Sequence, residues 1–171
     1  MDSVQKKHER AVGEKFINWY NEHFGKSYTY AYCGVPDLTY GDGSNEIHLE
    51  ITDAYYDQLD ATIKWQNFRG KENAPNHWSG KAPDDGLIEF INTGIAEKCK
   101  KSYGNDCILV INVWPYITSV EELENKLSEI EIPETNPFMR IYLTGYFPYS
   151  TKSKGCYKCW EVSKSKVYNQ K

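Results

Sequence analysis

The segment NDCILVINVW, residues 105–114, constrains this chain more than any other: five consecutive apolar residues run from Cys107 to Ile111. Successive side chains of a strand point to opposite faces, so an unbroken apolar strand has to be covered on both of them. The run is short and rich in β-branched residues, which reads as a central strand rather than a buried helix. Such a strand requires helices packed on its sheet, and the flanking segments supply them. KKHERAVGEKFINWYNEHF, residues 6–24, brings Val12, Phe16, Trp19 or Tyr20, and Phe24 near one face at helical spacing, with Gly25 as a stop. DQLDATIKWQNFRGK (57–71) reads as a second helix, and a third over about 85–102 carries Leu87, Ile88, Ile91, Ile95 and Cys99 on one side. SVEELENKLSEI (119–130) opens with Ser119 followed by Glu122, a capping box.

The remaining β-rich segments are YTYAYCGVPDLTY (28–40), EIHLEITDAYY (46–56), FMRIYLTGYFP (138–148) and CYKCWEVSK (156–164). The first two are separated by GDGSN, strong turn chemistry for a hairpin. The predicted order is helix, three strands, two helices, strand, helix, two strands. That order specifies an α/β fold with a mixed central β-sheet flanked by helices. At 171 residues, without an internal repeat or dividing linker, the chain reads as a single domain over 1–171.

The hairpin raises a chemical question. In IHLEIT, Ile47, Leu49 and Ile51 face one way and His48, Glu50 and Thr52 the other. If VPDLT alternates too, Val35, Asp37 and Thr39 share a face, and a paired register brings Asp37 beside Glu50. Two adjacent carboxylates repel unless a proton or cation lies between them. Mg²⁺, an oxygen-seeking cation often held by one or two carboxylates plus waters and phosphate, is the economical choice. The alternative is a hairpin whose acids face water and never meet. His48 shares the face of Glu50 and reads either as a ligand or as a hydrogen-bonded strand residue. His77, in the loop PNHWSG, either flanks a groove or is carried by Trp78 packing.

Composition excludes several classes. No apolar run approaches the roughly 20 residues of a membrane span and the N-terminal segment has no apolar signal region, so a cytoplasmic, non-membrane protein is expected. Five cysteines suit a reducing compartment, and Cys156-Tyr-Lys-Cys159 finds no second pair to complete a zinc site. No Gly-rich phosphate loop or Gly-x-Ser-x-Gly elbow is present. The net charge of −4 divides into +5 for residues 150–171 and −9 for the rest. In that last segment Lys152, Lys154 and Lys158 are interleaved with aromatics such as Trp160, a pattern that can neutralise phosphates and stack on bases. A solvated terminal strand is the plainer alternative.

Pro36-Asp37, the hairpin, and Glu50-Ile51-Thr52, behind a helix bearing Glu14 and ahead of a helix and a buried strand, resemble the PD-(D/E)XK nuclease superfamily. The resemblance covers about residues 6–113 and implies a restriction-endonuclease-like αβββαβ core and Mg²⁺-dependent hydrolysis of phosphodiesters, with DNA favoured over RNA. It implies that Asp37 and Glu50 hold the metal, with Glu14 as a third acid and Glu9 as the alternative one helical turn earlier. The family places a lysine where this chain has Thr52. A hydroxyl orients water but supplies no positive charge. Either another cation, with Lys64 on the next helix as the candidate, stands in, or hydrolysis is lost and the fold serves as a binding or interaction module. A small-molecule-binding α/β domain is a third, weaker reading. Oligomeric state, a dimer included, is left open by the sequence.

Overall fold

A computed structural model describes residues 3–55, 58–70, 83–104, 106–114, 119–150 and 153–163. Helix α1 spans Val4–Phe24. It starts where Ser3 accepts a hydrogen bond from the Lys6 N–H and stops at Gly25, whose left-handed backbone (φ 61°) lets its N–H reach the Asn21 carbonyl. Strands β1 (Thr29–Cys33), β2 (Leu38–Gly41) and β3 (Glu46–Ala54) follow, then α2 (Gln58–Phe68), α3 (Pro83–Cys99) and β4 (Cys107–Val113). Helix α4 (Val120–Lys126), a short 3-10 turn, β5 (Arg140–Ser150) and β6 (Ser153–Glu161) are the last elements among the described residues. The expected order of elements is present, and α4 carries the capping box read from Ser119 and Glu122.

The six strands form one sheet in chain order, β1 to β6. The β1–β2, β2–β3 and β5–β6 pairs are antiparallel, while β4 runs parallel to both β3 and β5. This is the predicted mixed central sheet flanked by helices, consistent with a general restriction-endonuclease-like α/β fold. YTYAYCGVPDLTY divides into two of the three expected strands, because the chain turns at Gly34–Pro36 and β1 pairs back onto β2. The β2–β3 turn is built by Asp42, whose Oδ1 accepts from the N–H groups of Ser44 and Asn45.

Covering on both faces follows from β4. Leu109, Ile111 and Val113 pack with Leu87, Ile91 and Ile95 of α3 and Leu123 of α4. Ile108 and Val110 point the other way, into a cluster with Val12, Phe16 and Ile17 of α1. Helix α1 lies directly on β2. A methyl added at Gly13 would come within 2.3 Å of Leu38 Cδ1 and 2.9 Å of the Tyr40 hydroxyl, so any larger residue would have to displace those side chains. Among the described residues no helix is long and apolar enough to cross a membrane, and none of the five cysteines is in a disulfide.

Candidate functional site

The β2–β3 register pairs Leu38 with Leu49, which leaves Asp37, one residue before β2, next to Glu50 and Ile51. Asp37 Oδ2 accepts the Ile51 N–H at 2.8 Å. Burial raises the Asp37 carboxyl to about 6; the Ile51 hydrogen bond opposes that rise, and the charges of Glu50 and Glu9 add to it. Asp37 and Glu50 therefore meet electrostatically. Both line a groove of about 410 Å³ that also takes in Glu9, Thr52, Lys98 and Lys101.

Glu50 is only 6% exposed, and its charge is answered from within the protein. Lys98 Nζ, from the last turn of α3, donates to Glu50 Oε1 at 2.6 Å, and the Tyr103 hydroxyl donates to the same oxygen at 3.0 Å. Tyr103 follows α3 and is itself buried, which together with the Glu50 charge pushes its phenol pKa up. Thr52 is half-buried and lines the same groove.

The cation beside Glu50 is thus Lys98, and Lys64 is not in this position. Lys64 is buried and donates to Asp60 Oδ2 at 2.7 Å, one turn earlier on its own helix. Its ammonium lies over the rings of Tyr55 and Trp114. An amphipathic helix buries one stripe, and on α2 that stripe turns Lys64 into the protein. The sequence carried a signal for Lys98. It continues the Ile88, Ile91, Ile95 stripe at helical spacing, so its stem points along the core face while its charge needs a partner.

The helix acid also shifts. Glu14 is exposed and pairs with Arg10 at 3.0 Å, away from the groove. Glu9 lines the groove and adds to the charge that raises Asp37, while accepting from Gln5 Nε2 at 2.8 Å. The difference is helical phase: five residues along α1 is about 140° beyond a full turn, so Glu9 and Glu14 cannot share a direction.

From the opposite side of β3 a second, largely enclosed acid reaches the same groove, with 9% of its side chain exposed. Asp53 continues the apolar Ile47, Leu49, Ile51 side and meets α1 there. His8 Nε2 contacts both Asp53 oxygens at 2.9 Å, and Oδ1 also accepts from Asn112 Nδ2 at 2.7 Å and Trp114 Nε1 at 3.0 Å. Burial alone would raise this carboxyl, but His8, Asn112 and Trp114 outweigh it and hold it below its usual range. His8 stacks on Trp114 at 5.4 Å and meets Trp65 edge-on at 5.8 Å.

Lys158 and Trp160, the described site candidates of the basic C-terminal segment, do not line the groove. Lys158 sits on β6 opposite Gly145, and Trp160 packs on Phe147 and donates to Glu124 Oε1 at 3.1 Å, which ties its indole to the body. Lys152, His77 and residues beyond 163 lie outside the described residues, as does the side chain of Lys154. His48 is a cross-strand partner of Thr39, whose Oγ1 is 3.0 Å from Nδ1. Cys156 and Cys159 pair with Phe147 and Thr144, so they point to opposite faces.

The donor set bears on a metal as follows. Asp37 and Glu50 are oxygen donors of the kind Mg²⁺ takes, and each keeps one carboxylate oxygen outside the hydrogen bonds above. Among the described residues, however, no group of three or more His, Cys, Asp or Glu side chains is arranged to hold an ion. Compared with protein-family models, curated proteins and solved structures, the chain matches none of them.

Proposed function

We propose that this chain is a nuclease-fold binding module whose groove over Asp37, Glu50 and Lys98 accepts the sugar–phosphate backbone of a nucleic acid. The observation that carries this reading is Lys98 on Glu50: the charge of the buried acid is neutralised in place by a side chain of the protein. Lys98 and Lys101 lie along one stretch of it. An adjoining cavity of about 210 Å³ shares Glu9 and Asp37 and adds Lys6 and Arg10. Cations on both sides of the acids suit a chain of phosphates, which lysines and arginines neutralise with release of counterions.

A second reading, Mg²⁺-dependent phosphodiester hydrolysis, is favoured by one specific feature. Lys98 brings from α3 the positive charge that Thr52 does not supply on β3. Mg²⁺ held by Asp37 and Glu50 would supply a polarised phosphate and an activated water. Lys98 would then stabilise charge developing on the phosphate, and Thr52 would orient the water.

End-labelled single-stranded and duplex DNA and RNA, incubated with the protein and Mg²⁺, separate the two. The binding reading expects retained, intact strands and weaker retention by Lys98→Ala. Mg²⁺-dependent cleavage that disappears in both Asp37→Ala and Lys98→Ala would replace it with hydrolysis. Absence of binding to every substrate would sink both.

A further inference from the structure

At the carboxyl end of β4, beside Tyr146 midway along β5 and under the first half of α1, lies a further cavity of about 280 Å³. Ligands of α/β sheets commonly bind beyond the carboxyl ends of the strands. His8 lines both this cavity and the acid groove, so the two adjoin. The register across the sheet places Asn112 at the cavity wall. Asp53, Asn112, Thr144 and Cys159 are successive paired positions on β3 to β6, a polar row facing α1. Beyond that row, Tyr146 and Tyr157 are paired, and Trp114 follows β4.

Three features of this cavity point to one kind of ligand. Tyr146 leaves 55% of its surface exposed and makes no ring contact among the described residues, so an aromatic face is open at the mouth. Asn112 has its amide nitrogen fixed by Asp53, which sets the orientation of its carbonyl oxygen as an acceptor. Lys15, exposed on α1 at the edge, makes no ion pair among the described residues. Together they offer a stacking ring, an oriented hydrogen-bonding group and a free cation. The volume lies just below the roughly 300–1,000 Å³ of cavities for drug-sized ligands, room for one flat ring system.

We propose that this cavity holds an unpaired nucleobase of a single-stranded nucleic acid, stacked on Tyr146 and oriented by Asn112, with Lys15 on an adjacent phosphate. The proposal rests on the reading that the acid groove carries the backbone, and it adds the substrate class: single strands, whose bases are free to leave the stack.

The test is binding of a short single-stranded DNA containing 2-aminopurine, followed by its fluorescence and by anisotropy of an end label, without divalent cations. Wild type is expected to bind with a change in 2-aminopurine emission. Tyr146→Ala should weaken binding about 5- to 100-fold and abolish the change, whereas Tyr146→Phe keeps both. Lys15→Ala should weaken binding a few-fold and lower the salt dependence by about one counterion. Tyr146 is exposed, so its loss leaves the fold intact. Strands that bind with no effect of Tyr146→Ala, or blunt duplex that binds as tightly as the single strand, would overturn the base cavity and leave the groove reading standing. Failure of wild type to bind any strand would remove both.

Discussion

Glu50 and Asp53 both line the groove from β3, yet they leave the strand on opposite sides and are satisfied in opposite ways. Asp53 is enclosed by donors from three directions, His8, Asn112 and Trp114, and is held in its charged form. Glu50 has Lys98 and Tyr103 on one oxygen and a second carboxyl, Asp37, beside it in an open groove. Asp53 has the character of a structural anchor. The Asp37–Glu50 pair is arranged at some cost, since burial and like charge push Asp37 up to about 6. Such a cost, borne at a groove, is what marks the pair as the candidate site.

The largest effect should come from breaking the anchor. Asp53→Ala removes the acceptor from three donors and is expected to cost about 3–5 kcal/mol in chemical denaturation, as for a broken buried pair. A loss below about 1 kcal/mol would erase the contrast. Next is Lys98→Met, which leaves Glu50 buried with only the Tyr103 hydrogen bond and should cost about 1–3 kcal/mol. Adding Glu50→Gln to that variant should recover part of the loss; no recovery would mean that the two side chains do not act as a pair.

Asp37 should show itself through pH. Its carboxyl ionises at a higher pH in the folded state than in the unfolded one, so folding stability falls as pH rises from about 4 through about 6. Asp37→Asn escapes that loss and should be more stable than wild type by about 1–2 kcal/mol at pH 7, with the difference gone below about pH 4. Parallel pH profiles for the two proteins would contradict the raised carboxyl. The smallest effects separate the two acids of α1. Glu14→Gln should change stability by less than about 0.5 kcal/mol and leave the Asp37 titration in place, whereas Glu9→Gln should lower it.

Much of this architecture is legible in the sequence because it rests on local pattern. CILVINV shows a strand buried on both faces, Ser119 and Glu122 start a helix, and the alternation of IHLEIT sets Glu50 apart from the apolar face. The Asp37–Glu50 neighbourhood follows from hairpin register alone. What the sequence does not show is where helices place their charges once packed. Lys64 and Lys98 look alike as residues, and only the packing of α3 on β3 and β4 brings Lys98 to Glu50 and leaves Lys64 with Asp60. Glu9 and Glu14 differ by helical phase against the sheet, which depends on the close approach at Gly13. Asp53 is the instructive miss, because an acid ending the apolar Ile47, Leu49, Ile51 face signals a buried, partnered carboxylate. Its partners come from α1 and from β4 and the residue after it, and no single segment reveals them.

The central claim is that phosphates pass over the Asp37–Glu50 groove, and metal-free binding tests it most directly. Anisotropy of a labelled single-stranded DNA at low salt, pH 7 and without divalent cations compares wild type with Asp37→Asn. Removing a negative charge from beneath the phosphates should tighten binding about three- to ten-fold, the size expected for one charge contact in a partly screened groove. An Asp37→Asn protein that binds with wild-type affinity, or more weakly, would place the strand elsewhere and contradict the account.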